Sequence, residues 1–320
     1  MPPQSTIIAC VAASSKLTPF REVNQIPKNI IASGSKDIVV RAISYNQRKD
    51  ELFVLDDTGT VRAIRPTAPN TRKNNQIIYT NKYENMEMAT FVFVNQAQSL
   101  IICVKKKRMN TDFQIEYRLL CLRQNGNQWV EQSNTQIKVD LHHPYHNVSL
   151  HEFQGSTAVL LVPACSRKVV RVEIASQKFG RVTQIDTDNR FLSYCNAAVI
   201  ERNGTTFVAY EYSLSPSHGN AVYLCALQEN SLVSLSKIEV ALNERWTAIL
   251  SINNQLVAAK YNDSGYSIVA LDTNGGQLAI SAELLPAAAG INPAVWCAAG
   301  KDRIILWDLE TRNLIVYTFV

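Results

Sequence analysis

Ala294–Val320, AVWCAAGKDRIILWDLETRNLIVYTFV, contains three apolar runs separated by the polar breaks Gly300–Arg303 and Glu310–Asn313. Short runs rich in β-branched and aromatic residues, parted by turn formers, predict three antiparallel strands joined by tight turns. The same rhythm recurs upstream. Ile38–Thr80 reads VVRAISYNQ, ELFVLDDTGT, VRAIRPT and QIIYTN, with Asp57-Thr58-Gly59-Thr60 as a hairpin turn in which Gly59 supplies a positive φ. Further copies span 88–140, 147–186, 192–242 and 245–284, so that 294–320 is the sixth unit. Units of about 40–50 residues have the period of four-stranded repeats rather than of a two-sheet sandwich.

The middle run of 294–320 ends in Trp307-Asp308, followed by Leu309 and Glu310. This resembles the ending of strand c, the third of four strands, in a WD40 repeat, where an aromatic packs between neighbouring sheets. The resemblance implies an all-β chain, a single closed β-propeller of six or seven four-stranded blades over residues 1–320. The motif support stops at that pair, because no other repeat ends in Trp-Asp and the family's Gly-His dipeptide is absent. Residues 1–35 form an irregular lead-in broken by Pro2, Pro3, Pro19 and Pro27. Its apolar run Thr6–Ala13 is expected to pair with Leu314–Val320 and close the ring, since closure removes open sheet edges. A seventh blade requires Met1–Ile26 to supply two strands. The Ala-rich LLPAAAG within Gln277–Gly290 is expected to hold a helical turn, kept short by Pro286.

Composition narrows the class. The 320 residues are 46% hydrophobic and 18% charged, and no stretch approaches the roughly 18–20 apolar residues of a membrane-spanning helix. A soluble globular chain with no membrane partner is expected. No basic segment precedes the apolar run Ile7–Ala13, so a secreted protein is not expected and Asn147, Asn203 and Asn262 in their Asn-X-Ser/Thr settings are incidental. Seven cysteines, Cys10, Cys103, Cys121, Cys165, Cys195, Cys225 and Cys297, lie mostly inside apolar runs with no CxxC spacing. They read as buried free thiols of a reducing compartment, nuclear or cytoplasmic.

Chemistry-bearing motifs are few. There is no glycine-rich phosphate loop, GxSxG elbow or HExxH, so no enzymatic activity, cofactor or metal is expected. His142, His143 and His146, with His151 beyond them, lack a neighbouring cysteine or carboxylate to complete a metal site and read as a polar loop available to a partner. Lys105, Lys106, Lys107 and Arg108 form a basic run that follows the strand LIICV, and Ser166-Arg167-Lys168 occupies the corresponding b–c loop of the next repeat. In a propeller the b–c and d–a loops emerge on one face. Arg167 and Lys168 therefore join the run and the histidine loop in a local basic patch on a chain whose net charge is only +5. The loops Asp56–Gly59 and Asn262–Gly265 are acidic or neutral by comparison.

The expected function is that of a non-enzymatic interaction scaffold or complex subunit that binds other subunits or peptides through its loop faces. The alternative is a nuclear, chromatin-linked or nucleic-acid-associated subunit that uses the basic face on a phosphate backbone.

Overall fold

Strands dominate the computed structural model, which describes residues 20–26, 39–65, 75–106, 114–140, 148–153, 156–163, 166–176, 178–187, 197–212, 221–241, 243–288, 293–299, 302–308 and 313–319. The first sheet holds β2 (Val40–Asn46), β3 (Glu51–Asp56), β4 (Thr60–Ile64) and β5 (Asn75–Thr80). The second holds β6 (Met86–Val94), β7 (Ser99–Lys106), β8 (Gln114–Asn125) and β9 (Gln128–Asp140). The third comprises β10 (Val148–Glu152), β11 (Ala158–Pro163), β12 (Lys168–Ala175) and β13 (Lys178–Thr187). The fourth comprises β14 (Ala197–Arg202), β15 (Thr205–Tyr212), β16 (Ala221–Gln228) and β17 (Ser231–Glu239). In the fifth are β18 (Arg245–Ile252), β19 (Gln255–Asn262), β20 (Gly265–Asp272) and β21 (Ala279–Ala288). The sixth joins β22 (Pro293–Ala299), β23 (Arg303–Asp308) and β24 (Leu314–Phe319) to β1 (Phe20–Ile26) from the other end of the sequence. Each is antiparallel, and a short parallel pairing, Asp186 with Ser231 and Thr187 with Leu232, fuses the third and fourth sheets at their outer strands. This is an all-β architecture of the β-propeller kind.

The burial of each strand follows its place in its sheet. Second strands such as β3, β7 and β11 are buried almost end to end, which explains their continuous apolar sequences ELFVL, SLIICV and AVLLV. Fourth strands such as β17 are mostly half-buried or exposed and alternate with polar residues. A continuous apolar run has two buried faces because side chains alternate along a strand. In β7, Ile101 and Cys103 point into the core shared with the third sheet, while Leu100, Ile102 and Val104 point into the core shared with the first. Six such clusters lie among the described residues, each between two neighbouring sheets. One of them sets Cys297, Ile305, Trp307, Leu314 and Val316 of the sixth sheet against Val40, Ile43, Leu52 and Val54 of the first.

Three expectations are corrected. The strand that pairs with β24 is Phe20–Ile26; Thr6–Ala13 lies outside the described residues. In the sequence β1 fills the interval between Pro19 and Pro27, so these prolines bracket a strand rather than abolish one. Trp307-Asp308 ends β23, the second strand of its sheet and not the third. Trp307 does pack between two sheets, but it matches the WD40 pattern in residue type and not in position. Finally, the described part of LLPAAAG is strand and not a helical turn: β21 runs through Leu284–Ala288, an outermost strand that accommodates Pro286 with register shifts opposite β20. The only described helical turn is the 3-10 turn Asn274–Gly276.

The turn after β3 is built as expected. Gly59 has φ +78°, and the buried Asp56 carboxylate accepts hydrogen bonds from the Thr58 and Thr60 main-chain N–H groups, both at 3.0 Å. Arg62 Nε lies 3.3 Å from the other carboxylate oxygen. Among the cysteines, Cys103, Cys121, Cys225 and Cys297 are buried free thiols.

Trp307 is 2% exposed and belongs to the core that joins the sixth sheet to the first, whereas Val130 on an outer strand is 40% exposed. Trp307→Ala is expected to cost about 3–5 kcal/mol in urea unfolding, and Val130→Ala to stay within about 0.5 kcal/mol of the parent. Equal losses would contradict this packing.

Candidate functional site

The described residues among those singled out by their charge, Lys105, Lys106, Arg167 and Lys168, occupy one end of neighbouring sheets. Lys105 and Lys106 end β7, and Arg167 and Lys168 lie at the start of β12, so both pairs border b–c loops of adjacent sheets. Not all of this charge is available. Lys105 Nζ is 3.0 Å from Glu87 Oε1, its cross-strand partner, and Lys168 Nζ is 3.8 Å from Asp186, likewise opposite it. Lys106 and Arg167 are exposed and form no ion pair with a described residue. Lys107, Arg108, His142, His143 and His146 lie outside the described residues. No group of three or more metal-ligating side chains occurs among the described residues.

The opposite end, where first strands turn into second strands, is laced by hydrogen bonds between sheets. Asn95, just after β6, is the main node. Its main-chain N–H donates to Glu152 Oε1 at 2.7 Å and its Nδ2 to Glu152 Oε2 at 3.2 Å. The same Nδ2 donates to the Tyr45 carbonyl at 3.1 Å, and Oδ1 accepts the Gln47 N–H at 2.8 Å. Asn254 repeats the device between the fifth and fourth sheets, accepting the Glu201 N–H at 2.8 Å. An amide side chain serves here because it donates and accepts at once. Arg202 reaches Thr273 Oγ1 at 2.6 Å and Asp272 at 3.7 Å. Between the sixth and first sheets, Arg303 donates to Tyr45 Oη at 2.6 Å, lies over the Tyr45 ring and pairs with Asp50 at 3.4 Å.

Inside this lacing is an axial cavity of about 380 Å³. The first strands of all six sheets line it, through Ser44, Phe91, Leu150, Ala198, Leu250 and Trp296 among others. His151 and Glu152, at the end of β10, also line it, with opposite consequences of the same cause. Burial disfavours charge, so the Glu152 carboxyl is pushed up to about 7 even though the Asn95 and Gln96 N–H groups oppose the rise. Burial alone brings the His151 imidazole down to about 4. His151 Nε2 lies 2.8 Å from Ser149 Oγ, the geometry of a nucleophile and base. An imidazole with so low a pKa is a weak base near neutrality, and no described carboxylate orients its other nitrogen.

Sequence reading missed the cavity, since Asn95 and Glu152 are single polar residues at the ends of apolar runs. Only the spacing of repeats shows that such ends converge.

No protein-family model matches the chain, and no curated protein is similar to it in sequence. Solved structures are similar in fold. U3-55K shares 7% identity at a TM-score of 0.51, with 95% of this chain and 100% of that one covered. The soluble aldose sugar dehydrogenase of Escherichia coli in its apo-form gives 7% and 0.57, covering 94% of this chain and 99% of the other. A glucose dehydrogenase gives 7% and 0.59, again over 94% and 99%. Likeness at this identity concerns the fold alone. It supports a β-propeller, and because two of these neighbours are enzymes by name, it does not favour the expected absence of catalysis.

The two shifted groups make opposite contributions to stability. Glu152 holds its proton more tightly when folded, so its contribution is complete below pH 4.5 and is lost as pH rises to about 7. His151 resists protonation when folded, so its contribution is complete above pH 6.5 and is lost as pH falls to about 4. Each slope is at most about 1.4 kcal/mol per pH unit, less where water reaches the group, and the two cancel where they overlap. Urea unfolding at several pH values is expected to show His151→Gln losing up to about 3 kcal/mol as pH rises from 4.5 to 7. Glu152→Gln should gain a similar amount between pH 4 and 6.5. Parallel profiles for both variants would contradict the assignment.

Proposed function

We propose that the chain is a closed propeller of six blades that serves as a non-enzymatic interaction scaffold in the nucleus or cytoplasm, taking acidic protein partners on its b–c loop face. The exposure of Lys106 and Arg167 on adjacent sheets, neither of them ion-paired with a described residue, carries this reading. Closure is supported by the core between the sixth and first sheets and by β1 completing the sixth. The ring is read as divergent from the WD40 type, its one Trp-Asp pair standing on a second strand.

The two ends of the ring differ in a way that fits the role. At the a–b end Asn95, Asn254, Arg202 and Arg303 hold neighbouring sheets together. The b–c end leaves cations toward solvent on a frame that does not have to rearrange, and a fixed positive patch speeds and orients the arrival of an acidic surface.

In cells, tagged protein carrying Lys106→Glu and Arg167→Glu is expected to lose acidic co-purifying proteins that the parent retains, with no change in melting temperature. An unchanged set would overturn the reading. A parent that shifts duplex nucleic acid, with a salt slope about 2 shallower in the double variant, would replace the protein partner with a phosphate backbone.

A further inference from the structure

The axial cavity has a chemistry of its own, independent of the loop face. Its ionisable lining residues among those described are Tyr45, His151, Glu152 and Cys297, with no lysine or arginine. Burial keeps three of these uncharged at neutral pH: His151 titrates near 4, and the Tyr45 phenol and Cys297 thiol are pushed well above their usual ranges. Glu152 is therefore the one described lining group that becomes charged in the neutral range, and its charge is negative. Charged neighbours on the surrounding elements are committed elsewhere or distant along their strands. Arg303 pairs with Asp50, Arg202 with Asp272, and Lys105 with Glu87 at the far end of β6. Glu201 at the end of β14 is exposed, and β11 carries no ionisable residue.

A fixed negative charge in a partly apolar cavity discriminates by charge. Coulomb attraction is stronger there than in water, so a cation gains, an anion is repelled, and a neutral molecule of the same shape gains only contact. A single carboxylate rules against a divalent metal, which takes several oxygen ligands at short range. Asn95 donates to both carboxylate oxygens at 2.7 and 3.2 Å, which fixes the orientation of the group. Phe91 and Trp296 are among the lining residues, and an aromatic lining favours an organic cation over a hydrated inorganic one. The volume of about 380 Å³ lies at the lower end of the range for small-molecule sites, roughly 300–1,000 Å³.

We propose that the axial cavity is a binding site for a small organic ammonium ion, with Glu152 as its counter-ion and Trp296 in its apolar wall.

The test uses the full chain and n-butylammonium chloride as probe, with n-butanol and sodium butyrate as controls, in titration calorimetry at pH 6 and pH 8. Butylammonium is charged at both pH values, whereas Glu152 ionises between them. Its affinity is expected to rise about tenfold from pH 6 to pH 8, following the ionised fraction of a carboxyl near 7. The controls should bind far more weakly at both. Glu152→Gln should abolish the pH dependence, while the Lys106→Glu and Arg167→Glu variant should bind as the parent does, which separates this site from the loop face. No binding of butylammonium, equal binding of butanol, an affinity insensitive to pH in the parent, or full binding by Glu152→Gln would each overturn the proposal. Should Glu152→Gln fail to fold, the parent at two pH values with both controls decides alone.

Discussion

Everything in this molecule depends on sheets that are apolar on both faces. A strand such as SLIICV buries Ile101 and Cys103 on one side and Leu100, Ile102 and Val104 on the other, so its sheet needs a neighbour on each side. A stack of such sheets leaves two wet apolar faces at its ends. One cluster sets Trp307 of the sixth sheet against Val54 of the first, so that each covers an apolar face of the other. The alternation also fixes register, because a slip by one residue would exchange the two faces of a strand and disrupt two cores at once.

The polar chemistry follows from that geometry. First strands meet at the axis with one edge unpaired, which produces a cavity whose walls come from every sheet. The ends of those strands converge at one rim, and there the sequence places Asn95, Asn254, Glu152 and Arg303, residues whose side chains span to the next sheet. These donors and acceptors bond to one another and so brace the rim. At the opposite rim, among the described residues, Lys106 and Arg167 are exposed without an ion pair.

The sequence made the repeat legible because periodicity of apolar runs is a local property: ELFVLD, LIICV and RIILWD each announce a buried strand without reference to the rest. The strand order within a repeat was less legible. Trp307-Asp308 looked like the end of a third strand because two letters carry no positional information, and only the pairing of β23 between β22 and β24 assigns it. Phe20–Ile26 was missed because FREVNQI, an edge strand, lacks the continuous apolarity of a central one, while Thr6–Ala13 has it. The cavity was invisible for a different reason. Glu152 acquires its properties from residues about 57 positions away, as the distance in sequence to Asn95 shows, and no local pattern encodes that meeting.

The pairing of β13 with β17 has a mechanical meaning. Among the described residues it is the one joint between sheets made by main-chain hydrogen bonding, including Asp186 N–H to the Asn230 carbonyl at 2.9 Å. The other joints rest on side chains. A main-chain joint does not depend on which side chains flank it, so substitutions that loosen the other joints leave this one in place.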